Sequence, residues 1–257
     1  MSFFASLILG IVQALTEFLP ISSSAHLKLA KYILGQESGV LLDLSCHLGT
    51  LGALVIFLRK EIVHILFQEP KKLFLFFFAM VPLIPFYFLL KPLREYISEI
   101  HLLGFCLIGT GGILLAGQSF CMARSKNEGF MGKIRDVLMI GTLQSTALIP
   151  GISRSASTIS CARILGWDAK EAVRFSFLLS IPTILGGNLW EFMKATAGTH
   201  KEESIPILHL ITSFAVSFII GLFLVKKALS WLEKGNLKPC AWYCIALGTI
   251  LSIYFNL

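Results

Sequence analysis

The sequence predicts an all-α protein that crosses a membrane several times. Of its 257 residues, 55% are hydrophobic and only 14% are charged, whereas a soluble domain carries about 25% charged residues. The mean hydropathy is +0.77. The apolar stretches are continuous rather than alternating, which favours spanning helices over the strands of a β-barrel. Six stretches are long enough to cross a bilayer as helices: residues 42–58, 73–90, 101–119, 172–190, 207–225 and 239–256.

Two further apolar stretches, about 3–32 and 137–166, are interrupted near the middle by a proline and a run of hydroxyl residues. Each half has only about 10–14 helical residues, too few to cross a hydrocarbon core of about 30 Å at 1.5 Å per residue. The pattern predicts two re-entrant hairpins, each of which enters and leaves the membrane on the same side.

The basic residues are distributed unevenly between the connecting segments. Of the 22 Lys and Arg residues, 15 lie in four connections and 6 in the other three, whereas Asp and Glu divide evenly. A bias in cations alone places the basic connections in the cytoplasm and both chain termini outside. Because these bases lie in short loops, the net charge of +7 does not indicate nucleic-acid binding. The four basic connections are residues 59–72, 120–136, 159–174 and 226–238.

This topology predicts an inverted repeat within a single membrane domain, residues 1–257. Each half consists of one hairpin and three spans, so the two halves have opposite orientations. Repeat 1 covers about 1–120 and repeat 2 about 135–257. The first residues lack a basic n-region and a cleavage site, so we expect no cleaved signal peptide.

The two hairpin turns carry similar polar sequences. The first reads Gln13-Ala-Leu-Thr-Glu-Phe-Leu-Pro-Ile-Ser-Ser-Ser-Ala-His26, and the second reads Gln144-Ser-Thr-Ala-Leu-Ile-Pro-Gly-Ile-Ser-Arg-Ser-Ala-Ser-Thr158. Ionisable groups within a membrane cost roughly 2.5–3.5 kcal/mol each to insert, so by default they mark function. We expect the two turns to meet near the middle of the bilayer and to form one site.

In the second turn, Arg154 is the strongest candidate for binding a phosphate, because its planar guanidinium can grip a phosphate with two hydrogen bonds. The hydroxyls of Ser153, Ser155 and Thr158 cap the following helix, bind phosphate, or do both. The alternative for Arg154 is a buried ion pair with Glu17.

In the first turn, Glu17 is the only acidic residue. It is a candidate general base, metal ligand or partner for Arg154. Gln13 lies one helical turn earlier on the same face, where its oxygen can bind a metal or where it serves as a polar filler.

His26 is a candidate proton shuttle or base, or else a hydrogen-bonded core residue. The serines Ser22, Ser23 and Ser24 cap the second helix of the hairpin, or one of them is a nucleophile activated by His26. Asp43 and His47 share a helix face; His47 is able to reach the site and Asp43 is expected at the outer interface, and the structural and functional interpretations remain equally open.

These motifs resemble the two signature motifs of the undecaprenyl-diphosphatase (BacA, bacitracin-resistance) family, and the resemblance covers nearly the whole chain, including 43–50 and 174–182. It implies a multi-pass enzyme of the bacterial plasma (inner) membrane that removes the terminal phosphate from a C55 isoprenoid diphosphate. This reaction recycles the lipid carrier of peptidoglycan synthesis and underlies bacitracin resistance. The resemblance also implies a divalent cation and an active site that faces the outside.

The motifs match the family position by position, with two departures and one position, that of Gln13, where the family has Glu or Gln. Ala25 and Ala156 stand where the family usually has glycine, and Gln13 stands where it often has glutamate, which removes one charge from a metal site. The matching residues are Gln13, Glu17, Ser22, Ser23, Ser24 and His26 in the first motif, and Ser153, Arg154, Ser155 and Thr158 in the second.

The sequence therefore predicts a membrane phosphatase that acts on a prenyl diphosphate lipid, with membrane lipids and a second copy of the chain as further partners. Glu17 and Gln13 are expected to hold Mg²⁺ or Ca²⁺. Arg154, together with Ser22, Ser153, Ser155 and Thr158, is expected to bind the phosphates. Ser23 or His26 attacks, or His26 activates water.

Two other classes of protein share part of this pattern. A transporter or flippase for a prenyl phosphate lipid would use the same architecture and anion site. A structural scaffold would explain the spans, but it gives no reason for Glu17 or Arg154.

Overall fold

The computed structural model describes residues 2–36, 39–97, 99–120, 122, 130–196 and 205–256, and it describes only the backbone at positions 95, 195 and 196. Within these ranges the regular structure is entirely helical. The α-helices are α1 Phe3–Thr16, α2 Ser23–Ile33, α3 Val40–Gln68, α4 Lys71–Met80, α5 Leu83–Leu89, α6 Lys91–Ile97, α7 Leu103–Ser119, α8 Phe130–Gln144, α9 Arg154–Ile164, α10 Ala169–Thr196, α11 Ile207–Leu232 and α12 Lys238–Asn256.

Six helical segments are long and apolar enough to cross a membrane, and they coincide with the six predicted spans. An all-helical, multi-pass membrane protein is thereby confirmed. Several helices are longer than the predicted spans, since α3 ends at Gln68 rather than at residue 58. Hydropathy marks the part of a helix that lies in lipid, whereas Arg59 and Lys60 are good helix formers that continue α3 beyond it. The spanning segments are Val40–Gln68, Lys71–Leu89, Ile100–Ser119, Ala169–Lys194, Ile207–Leu232 and Lys238–Asn256.

Each interrupted stretch forms two short helices joined by a turn, α1 with α2 and α8 with α9. The second turn has one residue more than the first between its proline and the serine that precedes the next helix. That extra residue is Gly151, which adopts a left-handed φ of +100°. In the shorter first turn Ser22 itself takes a φ of +67°, a conformation that costs a non-glycine residue free energy.

The two turns are buried against each other in the main core. Phe18 and Ile21 of the first turn belong to the same apolar cluster as Ala156 and Ile159 of α9. Around this cluster α11 packs along α3 and α1, α7 packs along α12 and α9, and α3 crosses α10. The long helices therefore fix the position of one polar turn relative to the other.

Helices α7 and α12 approach closely at a pair of glycines. A Cβ atom on Gly248 would lie 2.6 Å from the carbonyl oxygen of Gly104 and 2.9 Å from Ile108. Small residues at such crossings allow membrane helices to pack backbone against backbone.

We predict that Gly248→Ala lowers the free energy of unfolding by about 1–3 kcal/mol, because the added methyl group has no space. Gly109→Ala on α7 is the matched control, since a Cβ atom there meets nothing within 4 Å and alanine favours the helix. Thermal unfolding of the purified variants in detergent measures the difference. Equal melting temperatures for the two variants would contradict the predicted crossing.

Candidate active site

A cavity of about 210 Å³ lies where the two polar turns meet, beside α3, α5 and α10. Ser22, Ser23 and Ser24, where α2 begins, line one side, and Ser153, Arg154 and Ser155, where α9 begins, line another. Two helix N-termini thus face one space, and their backbone amides and positive dipole ends favour an anion there. The apolar part of the wall consists of Leu19, Leu83, Ala147, Leu148, Ile152, Ile184 and Gly187.

An ion pair joins the two hairpins inside this cavity. Nη2 of Arg154 donates a hydrogen bond to Oε1 of Glu17 at 2.8 Å, although the residues lie 137 positions apart. The side chains are only 18% and 6% exposed. The sequence left open whether Arg154 forms a buried ion pair with Glu17. The structure contains this ion pair.

The second oxygen of Glu17 is also fully engaged. Oε2 accepts hydrogen bonds from Oγ of Ser23 at 2.6 Å and from Nε2 of Gln13 at 2.9 Å. Glu17 therefore connects a cationic group, a hydroxyl and an amide, and Ser23 is the hydroxyl closest to a base.

Gln13 donates its hydrogen bond to the Glu17 carboxylate from outside the cavity. It is fully buried and does not line the cavity. Its Nε2 points towards Glu17, and its Oε1 has no hydrogen-bond partner among the described residues. An unsatisfied buried oxygen is unusual in a folded protein and is available to a cation.

The imidazole nearest to Glu17 is that of His47. Its Nδ1 lies 3.5 Å from Oε2 of Glu17 and 2.7 Å from Nε2 of Gln13, and the ring lines the cavity. His47 therefore reaches the cavity, as the sequence allowed, and a functional role for it stays a prediction. Asp43 lies elsewhere, since its carboxylate pairs with Lys31 at 2.6 Å.

His26 and Thr158 are not brought into the cavity. Nδ1 of His26 donates to the carbonyl oxygen of Ser22 at 2.8 Å, and Nε2 lies 2.8 Å from Oη of Tyr243. The Oγ1 atom of Thr158 lies 2.6 Å from Oγ of Ser176. Both residues sit about one turn inside their helices, whereas only the first residues of each helix face the cavity. Direct roles for His26 and Thr158 in the reaction stay predictions.

Two amide side chains that line the cavity, those of Gln144 and Asn188, are not among the site residues predicted from the sequence. Gln144 is 1% exposed, and neither amide atom has a partner within the described part of the chain. Nδ2 of Asn188 on α10 is likewise buried and unpartnered there. Such groups require water or a ligand as their partner. The signal was present for Gln144, which opens the second polar motif as Gln13 opens the first.

The fold and the cavity together define a class: a multi-pass helical membrane protein with a buried polar site, suited to an anion, between two broken helices. The profile of the bacitracin resistance protein BacA family matches residues 6–250. The chain belongs to this family.

Relatives resemble the chain over its whole length. An undecaprenyl-diphosphatase of Protochlamydia amoebophila is 39% identical and covers 100% of both chains. An undecaprenyl-diphosphatase of Geobacter sulfurreducens is 34% identical over 96% of this chain and 97% of its own. One from Halothermothrix orenii is also 34% identical and covers 98% of each chain.

We predict strong coupling between Glu17 and Arg154 in a double-mutant cycle. Glu17→Gln or Arg154→Met alone is expected to lower the free energy of unfolding by about 3–5 kcal/mol, because each leaves a buried charge unpaired. The double variant should lose much less than the sum of the two. Thermal unfolding in detergent gives the coupling energy.

The exposed pair of Glu69 and Lys72 is the control for this cycle. Removing either of these charges should change stability by no more than about 1 kcal/mol. Additive losses for Glu17 and Arg154, without coupling, would contradict the ion pair.

Proposed function

We propose that the protein is an undecaprenyl-diphosphate phosphatase, which hydrolyses undecaprenyl diphosphate to undecaprenyl phosphate and phosphate. The observation that carries this proposal is the ion pair of Glu17 and Arg154 between two helix N-termini lined by hydroxyls. Relatives at 34–39% identity are named undecaprenyl-diphosphatase. In a bacterial plasma membrane this activity would recycle the lipid carrier of peptidoglycan synthesis and would provide resistance to bacitracin.

The cavity has the groups needed to hold a diphosphate. The guanidinium of Arg154 can form two hydrogen bonds with the terminal phosphate, and Ser22, Ser153 and Ser155 add hydroxyl donors. The unpartnered amides of Gln144 and Asn188 gain partners when the phosphates enter. The apolar residues of the wall, which include Leu83 of α5 and Ile184 of α10, offer contacts for the first part of the prenyl chain.

We propose that Ser23 is the nucleophile. Its hydroxyl already donates a hydrogen bond to Glu17. A phosphate that binds the guanidinium of Arg154 competes with Glu17 for it, and the carboxylate of Glu17 is then free to accept the proton of Ser23. Oγ of Ser23 then attacks the terminal phosphorus, the bond to the bridging oxygen breaks, and prenyl phosphate departs. Water next attacks the phosphoserine, the bond between phosphorus and Oγ of Ser23 breaks, and phosphate departs. Glu17 returns its proton to Oγ of Ser23, and the proton that the water loses leaves with the products.

His26 and Thr158 act on this scheme from outside the cavity. His26 holds the carbonyl of Ser22 in its left-handed turn, and Thr158 hydrogen-bonds to the carbonyl oxygen of Arg154. His26 and Thr158 thereby position the starts of α2 and α9. Their predicted direct roles in the reaction would come in addition to this one.

A carboxylate and an amide oxygen, such as those of Glu17 and Gln13, are donor types that a hard divalent cation prefers. Mg²⁺ is commonly held by one or two carboxylates together with substrate phosphates, and Gln13 Oε1 is a buried oxygen without a partner. We propose that Glu17 and Gln13 hold Mg²⁺ or Ca²⁺, which would neutralise charge on the diphosphate. Because Nε2 of Gln13 faces Glu17, the amide would have to turn over to present Oε1 to the ion.

We further propose the inverted repeat, with repeats of about 1–120 and 135–257, re-entrant hairpins and both termini outside. The equal order of elements supports it, since each half contains two short helices followed by spanning segments. The cavity lies near the start of α3 and the end of α10, away from the basic connections, so an active site that faces the outside is consistent with this topology. A homodimer remains a prediction.

We predict that the protein releases phosphate from undecaprenyl diphosphate in detergent, where a transporter has no two sides to connect. Arg154→Lys should lower kcat/KM about 100-fold, because lysine keeps the charge but loses the bidentate grip. Arg163→Lys, on the same helix but bonded to the carbonyl of Trp167, is the control and should remain active. If the folded wild type releases no phosphate with metal present, the enzyme proposal fails and a carrier is favoured.

A second prediction concerns the attacking atom. Rapid quenching during turnover of substrate labelled in its terminal phosphate should give protein phosphorylated at Ser23. Ser23→Ala should remove both the label and the activity, whereas Ser24→Ala should keep the label. An active Ser23→Ala variant would exclude the covalent route.

We also expect a chelator to abolish phosphate release and added Mg²⁺ or Ca²⁺ to restore it. Gln13→Leu should require a higher metal concentration for half-maximal activity, because one oxygen donor is lost. Full activity of the wild type in excess chelator would refute the metal site.

A further inference from the structure

A second cavity, larger than the candidate active site, lies at the opposite end of the helices. It measures about 690 Å³ and is lined by α3, α4, α10 and neighbouring segments, within the size range of binding sites for small molecules. On α3, Glu61 of this cavity lies 14 residues beyond His47 of the active site, or about 21 Å along the helix.

A layer of core residues separates the two cavities. Phe18 stacks on Phe177 with ring centroids 6.3 Å apart, and Leu54 belongs to the same buried cluster. The large cavity is therefore a separate space, and none of the proposed catalytic groups lines it.

This cavity has an apolar wall and a charged rim. Phe57, Phe76, Phe175 and Leu178 form much of the wall. At the rim, Arg174 pairs with Glu233 at 2.7 Å and approaches Glu61 at 3.5 Å, and Lys72 pairs with Glu69. Glu171 is the third carboxylate that lines the cavity, together with Glu61 and Glu69.

Two rim cations, Lys60 on α3 and Lys133 on α8, form no direct ion pair with a described residue, although Lys133 interacts with the carboxylate of Glu69 at longer range. Both side chains are exposed and both line the cavity. Basic pockets between membrane helices next to an apolar wall suit a lipid head group that carries negative charge.

We propose that this cavity binds an anionic phospholipid, with its phosphate at Lys60 and Lys133 and an acyl chain along the phenylalanine wall. A soluble phosphate would leave the apolar wall uncovered, and a zwitterionic lipid would not match the two unpaired cations. This lipid site is distinct from the substrate site and lies at the other end of the helices.

The test is native mass spectrometry of the detergent-purified protein with added phosphatidylglycerol or phosphatidylcholine. The wild type should retain phosphatidylglycerol preferentially. The Lys60→Gln/Lys133→Gln variant should bind it about thirtyfold more weakly, from about 1 kcal/mol per lysine. Lys226→Gln/Lys227→Gln, the same charge change at exposed positions outside the cavity, should bind as the wild type does.

Two further measurements distinguish the contribution of the lipid head group to binding from that of the acyl chain. Leu178→Trp, which fills the wall, should weaken retention without a change in charge, and millimolar inorganic phosphate should not displace the lipid. Phosphate release by Lys60→Gln/Lys133→Gln should equal that of the wild type. Equal retention of both lipids, unaltered binding by the lysine variant, or displacement by inorganic phosphate would overturn the proposal.

Discussion

The salt bridge between Glu17 and Arg154 is the interaction on which the site depends. Each charge alone would be costly to bury, and the two are paired only when the two turns lie side by side. The pair therefore fixes the relation between α2 and α9, whose N-termini supply the remaining polar groups. Because Glu17 also accepts hydrogen bonds from Ser23 and Gln13, one carboxylate links the starts of α2 and α9 to the end of α1.

The surrounding helices hold this polar centre within an apolar protein. Phe18 and Ala156 bring the two turns into one core, and the close approach at Gly104 and Gly248 sets α7 against α12. Ser22 adopts a strained, left-handed backbone conformation. This strain lies at the wall of the cavity, next to Ser23 and Ser24. The described part of the framework encloses, among other spaces, a small polar cavity between the turns and a larger amphipathic cavity at the other end of the helices.

Much of this architecture could be predicted from the sequence, because the continuous apolar runs specify the six spans and the interrupted ones specify short helices. The meeting of Glu17 with Arg154 followed from charges that had to be paired. Side-chain direction could not be predicted: His26 and Thr158 share motifs with cavity residues, but they lie a turn inside their helices and contact Tyr243 and Ser176. His47 reaches the site because α3 packs against α1 of the first hairpin. This packing is tertiary, and the residues next to His47 in the sequence do not specify it.

A structure with a diphosphate-headed lipid analogue bound tests the central claim most directly. The account predicts that the phosphates lie between the starts of α2 and α9, within hydrogen-bond distance of the Arg154 guanidinium, and that Glu17 stays within reach of Ser23. Phosphates bound elsewhere, or Glu17 and Arg154 held apart in separate environments, would contradict it.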